Sequence, residues 1–194
     1  IQQEYYCVVS LNEDSMYFAV AMNEMREQER IVNGAIETSR RVYASYDIGM
    51  NDKTSICLFQ LDVNNKPTII HYIEDNGKMM GWYVEKIREF CNKFNLIIDT
   101  HYIPHDGAKR DWNTAKNSVD FGRELGQKFV VVPRTLKKIN AIEQMRQMLY
   151  RTRIDMHDDS CSKLIECLSN YSKEYNRKTG EYKNEPCHNW ASHG

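Results

Sequence analysis

The sequence lacks the features that would assign it to several special classes of protein. None of its apolar runs is long enough to span a bilayer, and no cleavable signal peptide is visible. The net charge of −1 excludes a protein that holds nucleic acid through bulk positive charge. Repeats and low-complexity tracts are also absent. Its 194 residues and ordinary apolar and charged fractions indicate one globular domain with a sizeable core.

The cysteines lack the spacing of a standard zinc motif and form no CxxC pair. The six are Cys7, Cys57, Cys91, Cys161, Cys167 and Cys187. Cys57 and Cys91 lie within apolar patterns, which predicts core thiols. The scatter favours a reduced, intracellular compartment. A zinc site made of Cys161, Cys167, Cys187 and His188 is an alternative that the spacing disfavours.

The hydrophobic pattern predicts a mixed α/β fold. Strands are predicted at 42–48, 54–61 and 68–74, then in a stretch ending with HYIP at 101–104, and at 128–133. Helices are predicted at 15–27, 82–94, 113–126, 137–153 and 159–171, with a hairpin at 173–184. Asn113 and Gly126 are the predicted cap and stop of the third helix. Short turns make the first three strands an antiparallel meander, and helical connections make the fourth and fifth parallel.

Two carboxylates stand where predicted strands end. Asp47 ends the first strand, and Asp106 follows the fourth, before a glycine. An Asp before Gly is often only a turn former. If these strands are neighbours, however, both carboxylates emerge at one edge of the sheet and repel each other. A divalent cation between them removes that repulsion, and oxygen ligands suit Mg²⁺ or Mn²⁺. Two such ions make a site for phosphodiester hydrolysis.

Four stretches, in this order, resemble one known family. They are QQEYYCVVS at the start, DIGMNDKTSICLFQ around Asp47, YIPHDGAKRD around Asp106, and SKLIECLSNYSKEY with EPCHNWASHG near the end. Together with the β-β-β-α-β-α order, they resemble the nuclease domain of phage terminase large subunits. These are the motors that package viral DNA, and their nuclease domain belongs to the RNase H-like superfamily.

The resemblance implies a domain organisation. Residues 1–194 are expected to form a single RNase H-like nuclease domain, with a central mixed sheet flanked by helices. Residues 1–40 are expected to be a lead-in segment and helix that follow an ATPase domain, and 172–185 a hairpin. We expect the C-terminal end to be truncated, with a third acid just beyond Gly194. On this view, the chain as it stands binds at most one divalent ion well.

The resemblance also implies an activity and its residues. It implies an endonuclease that cleaves double-stranded concatemeric viral DNA during genome packaging, using two divalent ions, Mg²⁺ or Mn²⁺. Asp47 and Asp106 are the implied metal ligands, and His193 is an implied site residue. Double-stranded DNA, the portal protein and the small terminase subunit are the implied partners, with no membrane. The implied location is the host cytoplasm, at the procapsid portal, and the parent protein is expected also to be an ATPase.

Four basic residues are candidates for DNA contact, and several other readings stay open. Lys137 and Lys138 begin a basic helix, and Arg177 and Lys178 lie in the hairpin. A charged helix face is usually only a solvated face. His105 is interpreted as a packing or supporting residue. The alternatives to a packaging nuclease are another RNase H-like enzyme, such as a junction resolvase or transposase, and a non-catalytic module that docks to the portal or a partner subunit.

Overall fold

A seven-stranded mixed sheet flanked by helices forms the centre of the domain. The structure, a computed structural model, describes residues 15–48, 53–105, 117–134 and 137–193. Asp106 and Asn113 therefore lie outside the described residues. The sheet confirms the predicted α/β class, with an antiparallel meander extended by parallel strands.

The described strands and helices alternate along much of the chain. The strands are β1 (Ile31–Val32), β2 (Arg41–Asp47), β3 (Thr54–Leu61), β4 (Pro67–Asp75), β5 (Ile97–Pro104), β6 (Phe129–Val132), β7 (Arg153–Asp155), β8 (Lys173–Asn176) and β9 (Glu181–Pro186). The helices are α1 (Ala19–Glu27), α2 (Met80–Lys93), α3 (Ser118–Glu124), α4 (Lys138–Leu149) and α5 (Ser162–Asn170). Short 3₁₀ turns lie at His157–Asp159 and Trp190–His193.

The sheet has the strand order β1-β7-β4-β3-β2-β5-β6. The β2–β3 and β3–β4 pairs are antiparallel, which confirms the predicted meander. The β2–β5 and β5–β6 pairs are parallel, as predicted for strands joined by helices. The turn between β3 and β4 is closed by Asp62, whose Oδ1 accepts hydrogen bonds from the backbone N–H groups of Asn64 and Lys66, both at 2.8 Å.

Three predicted helix boundaries are wrong. The helix predicted at 137–153 ends at Leu149, because the side chain of Arg30 binds the carbonyls of Leu149 and Thr152 and the chain then enters β7. The first helix begins at Ala19 rather than at residue 15. In the helix predicted at 113–126, the described part is capped by Asn117, whose side chain accepts from the backbone N–H of Asp120 at 2.9 Å.

Alternation along β2 directs its residues to two different layers. Val42, Ala44 and Tyr46 are buried in the core that β2, β3 and β4 share with α2. The residues between them point to the opposite face, since side chains alternate along a strand. That second face packs against α1, α4 and α5 through a separate apolar cluster. Asp47 therefore belongs to the layer of α4 and α5.

The cysteines behave as core thiols. Cys91 is buried and Cys57 half-buried, and the described cysteines are free. Burial raises the pKa of the Cys57 thiol to about 12 and that of Cys91 to about 11. No three His, Cys, Asp or Glu side chains of the described chain form a group that could hold a metal ion. The alternative zinc site at Cys161, Cys167, Cys187 and His188, all four of which are described, is therefore not formed.

No helix within the described ranges combines the length and the apolar character needed to cross a membrane.

Candidate active site at the ends of β2 and β5

Asp47 lies at the end of β2, where two neighbouring cavities meet. The larger one, the strand-end cleft, has a volume of about 510 Å³ and is lined by the ends of β2, β5 and β6 and the start of α4. The smaller adjoining cavity has a volume of about 280 Å³ and reaches toward α5. Asp47, Lys138 and Ala141 line both. Of the described residues that line the cleft, Asp47 is the one acid.

The neighbourhood on which the predicted carboxylate pair depends is confirmed. Strands β2 and β5 are adjacent and parallel, with Ser45 opposite Tyr102. Asp47 and Pro104 are each two residues further on, so both strands end at the same level. His105 follows Pro104 and lines the cleft with Asp47. Asp106 lies outside the described residues, so its meeting with Asp47 stays a prediction.

A buried hydrogen-bond chain fixes the ends of β2 and β5 relative to each other. The hydroxyl of Tyr46 lies 2.8 Å from Nδ1 of His101, and Nε2 of His101 lies 3.1 Å from Oε1 of Gln127. Because Gln127 Oε1 only accepts, Nε2 carries the proton and Nδ1 accepts from Tyr46. The His101 ring stacks on Phe129, with 4.5 Å between centroids. Burial lowers the pKa of His101, which favours the neutral ring that this network requires.

Two cationic side chains face the strand-end cleft together with Asp47. Lys138, a predicted DNA contact, is the first residue of α4 and lines both cavities. Arg134, in the loop after β6, was missed by the sequence analysis because nothing in its local pattern separates it from a surface residue. Lys137 is exposed directly before α4. The cleft thus combines a carboxylate with cations, an arrangement that suits a metal ion beside a phosphate.

The segment that resembles the third family motif also reaches the site. Ala191 is buried and lines the adjoining cavity with Asp47. Asn189 accepts the backbone N–H of Ala191 through Oδ1 at 2.9 Å, so it caps the 3₁₀ turn Trp190–His193. The ammonium group of Lys163 lies 4.3 Å from the Trp190 ring centroid. His193 belongs to this turn, but its side chain lies outside the described part of the structure.

The second pair of predicted DNA contacts lies elsewhere. Arg177 and Lys178 are exposed at the turn of the β8–β9 hairpin, which forms a sheet of its own. The backbone N–H of Lys178 donates to Oδ1 of Asn176 at 3.0 Å, which fixes the turn. Tyr175 and Tyr182 pair across the hairpin, with 5.1 Å between ring centroids. The structure thus brings Lys138 to Asp47 and places Arg177 and Lys178 on a separate projection.

Glu74 is a nearby acid that sequence reasoning missed. Asp47 lies opposite Ser55, and Ser55 lies opposite Glu74, so the three residues form one row across the sheet. The carboxylate of Glu74 accepts from the Tyr72 hydroxyl at 2.8 Å and from the ammonium group of Lys53. Burial opposes ionisation of Glu74, but the bonds from Lys53 and Tyr72 outweigh it and lower the pKa. Glu74 is therefore engaged by these two side chains and does not line the strand-end cleft.

The donor chemistry at Asp47 fits a divalent ion. Its side chain is exposed, and carboxylate oxygen is the ligand that Mg²⁺ and Mn²⁺ prefer. A cleft of about 510 Å³ has room for an ion with its waters and a phosphate group. Asp47 supplies one protein ligand, and further ligands from described residues are not gathered around it.

The fold is that of the nuclease domains of phage large terminases. One large terminase from a thermophilic bacteriophage is 18% identical, with a TM-score of 0.59 over 86% of this chain and 40% of that chain. The nuclease domain of the P22 large terminase is 14% identical, with a TM-score of 0.53 over 80% of each chain. The large terminase nuclease of the thermophilic phage G20c with bound magnesium is 9% identical, with a TM-score of 0.52 over 84% of each chain.

These similarities show a shared fold. The chain spans about 40% of the length of the first of these large terminases. No protein-family profile and no curated protein matches the sequence.

Proposed function

We propose that this chain is a metal-dependent endonuclease domain that cleaves double-stranded concatemeric viral DNA during genome packaging. The observation that supports it most is the position of Asp47 at the joint end of the parallel strands β2 and β5, facing an open cleft with Lys138. This position lies in a fold shared with terminase nuclease domains. The sequence places a second strand-end acid, Asp106, two residues after β5.

In this proposal each site residue has a defined task. Asp47 and Asp106 hold two divalent ions, Mg²⁺ or Mn²⁺; the G20c nuclease of the same fold contains bound magnesium. A divalent ion bound here offsets phosphate charge and lowers the pKa of water. Lys138 binds the DNA backbone beside Asp47, and Lys137, Arg177 and Lys178 add phosphate contacts. The Tyr46–His101 hydrogen bond holds the two strand ends in place.

His193 acts beside the metal ligands in the same proposal. It belongs to the 3₁₀ turn whose Ala191 lines the cavity adjoining Asp47. The parent protein is a large terminase with a second, ATP-hydrolysing domain; the longer large terminase of the thermophilic bacteriophage has been solved with ADP. Its partners are double-stranded DNA, the portal protein and the small terminase subunit. It works in the host cytoplasm at the procapsid portal.

A plasmid-cleavage assay tests the activity. We expect supercoiled plasmid to be nicked and linearised in Mn²⁺, without strict sequence preference, and to stay intact in EDTA. Asp47→Ala and Asp106→Ala are expected to abolish cutting. Asp99→Asn is the matched control, because Asp99 lies on β5 with a half-exposed side chain and does not line the cleft.

Several outcomes would contradict the proposal. Cleavage in EDTA equal to that in Mn²⁺ would exclude a metal-dependent reaction. Full activity of Asp47→Ala would remove Asp47 from the site. Strong preference for branched DNA would favour a junction resolvase. Absence of both cleavage and Mn²⁺ binding in the parent protein would favour a non-catalytic docking module.

A further inference from the structure

A second polar cavity lies at the end of the sheet opposite Asp47. It has a volume of about 330 Å³ and is formed where β3 turns into β4, at the start of β7 and at the end of α4. Five cationic side chains line it: Arg30, Arg40, Lys66, Arg151 and Arg153. We call it the basic pocket. Six residue steps along β2 separate Arg41 from Asp47, so the two sites are about 20 Å apart.

The carboxylates in the lining of the basic pocket are already bonded. Glu37 pairs with Arg40, with 2.9 Å between Oε2 and Nε. Asp62 accepts two backbone N–H groups of its own turn, and the bond from Lys66 is the main reason that its pKa is lowered. Five cations therefore face two carboxylates that are both occupied. Like charges gathered around one cavity repel each other, and an anion in the cavity relieves that repulsion.

Arg30 provides the built part of this pocket. Its Nη1 donates to the carbonyl oxygens of Leu149 and Thr152, at 2.6 and 2.7 Å, and its Nε donates to Oε1 of Gln28 at 3.0 Å. These bonds fix the plane of the guanidinium group. Its Nη2 is buried and has no hydrogen-bond partner among the described residues. A buried donor without an acceptor is costly, and a phosphate oxygen is the acceptor that a guanidinium group matches best.

We propose that the basic pocket binds a phosphate group, at a site separate from the strand-end cleft. Arg30 holds the anion from a fixed position, and the exposed side chains of Arg151 and Arg153 close on it from β7 and the preceding turn. A volume of about 330 Å³ accommodates a phosphate or a pyrophosphate. The phosphate comes either from a DNA backbone or from a free small molecule. Neither source requires divalent ions or cleavage, so the proposal does not depend on the nuclease assignment.

Calorimetric titration with pyrophosphate in EDTA tests the site. We expect saturable binding to the unaltered chain and at least a tenfold loss of affinity in the Arg151→Glu/Arg153→Glu double variant, which loses two charge-assisted contacts. Both residues are exposed, and circular dichroism checks that the variant is folded. The Arg123→Glu/Lys128→Glu double variant makes the same change in net charge at exposed side chains outside the pocket. It should bind pyrophosphate as tightly as the unaltered chain.

Competition with a short DNA duplex identifies the source of the phosphate. If the duplex displaces pyrophosphate, and the loss of Arg151 and Arg153 also weakens duplex binding, the site takes a backbone phosphate. If pyrophosphate binding survives saturating duplex, the site takes a free phosphate compound. No saturable pyrophosphate binding, or equal affinity in the unaltered chain and the Arg151→Glu/Arg153→Glu variant, would overturn the proposal. Since EDTA is present throughout, a failure here is distinct from a failure of the nuclease assay.

Discussion

The two ends of the central sheet differ in how their charges are satisfied. At the strand-end cleft an exposed carboxylate, Asp47, stands with the cations Arg134 and Lys138. At the basic pocket five cations face two carboxylates that are bonded elsewhere. The first arrangement suits a metal ion together with a phosphate, and the second suits an anion alone. A net charge of −1 conceals both sites, so contact with a polyanion has to be sought in local arrangements rather than in the total charge.

The sharpest way to test this comparison is to disable one end at a time. Asp47→Asn removes the ligand charge at the cleft, and we expect Mn²⁺ affinity to fall at least about 100-fold, since even residues that only support a metal ligand are worth about 10- to 100-fold. Pyrophosphate binding at the basic pocket should not change. Arg151→Glu/Arg153→Glu should show the reverse pattern. Calorimetry with each ligand measures both effects.

The comparison fails if the two ends are not independent. A loss of pyrophosphate binding in Asp47→Asn would mean that the anion sits in the cleft, or that the two sites communicate through the sheet. Asp99→Asn serves as the control for removing an acid from a strand of the same sheet.

The second prediction treats the sheet as the connection between the ends. Leu58, in the middle of β3, is fully buried against the α2 layer. Leu58→Ala should lower the free energy of unfolding by about 3 kcal/mol, through lost burial and the cavity left behind. Urea denaturation measures this value. Val63→Ala, at an exposed turn position, should change it very little.

The result also bears on both ligands. In the Leu58→Ala variant, Mn²⁺ and pyrophosphate should each still bind to the folded fraction, and each should raise the unfolding midpoint. Stabilisation by one ligand only would show that one end of the sheet unfolds without the other.

Sequence reasoning predicts the middle of the sheet better than its edges. Strand β3 is predicted residue for residue, because polar turn signals bound an apolar run on both sides. The parallel placement of β2 and β5 follows from their helical connection, and it correctly brings Asp47 beside the end of β5. Strands β1 and β7 were missed, since two and three residues cannot display a periodicity.

The same limit explains which parts of the sites were missed. Lys138 was found because it begins a visibly basic helix, whereas Arg134 follows a strand without any signal of its own. The basic pocket draws on residues 30, 40, 66, 151 and 153, which meet only after β7 has joined β4 in the sheet. No local pattern could have gathered residues so far apart in the chain.

A third prediction uses acid to weaken the strand that joins the two ends. His71, in the middle of β4, stacks on Phe90 of α2, and burial, followed by the charge of Lys93, lowers its pKa from 6.5 to about 4. The folded state therefore binds fewer protons than the unfolded state, so stability is complete above pH 6.5 and falls as the pH drops toward 4. Between pH 6.5 and about pH 5 this residue should remove about 1–2 kcal/mol.

The matched measurement compares His71→Gln with the unaltered chain at both pH values. The variant cannot titrate at this position, so its loss of stability over the same acid range should be smaller. His101 is also buried with a lowered pKa and is common to both proteins, so the difference isolates His71. An equal loss in the two proteins would mean that His71 is not the titrating group.

The smallest expected effect separates the two ends by their dependence on salt. Lys138→Ala removes one phosphate contact at the cleft, so the slope of log affinity against log salt for duplex DNA should fall by about 0.9. That corresponds to about an eightfold loss at about 0.1 M salt, vanishing toward about 1 M. Fluorescence anisotropy in EDTA buffer measures duplex binding, with Lys128→Ala as the control at an exposed site outside the cleft. If Lys138→Ala leaves the slope unchanged while Arg151→Glu/Arg153→Glu reduces it, DNA lies across the basic pocket rather than beside Asp47, and the roles assigned to the two ends of the sheet must be exchanged.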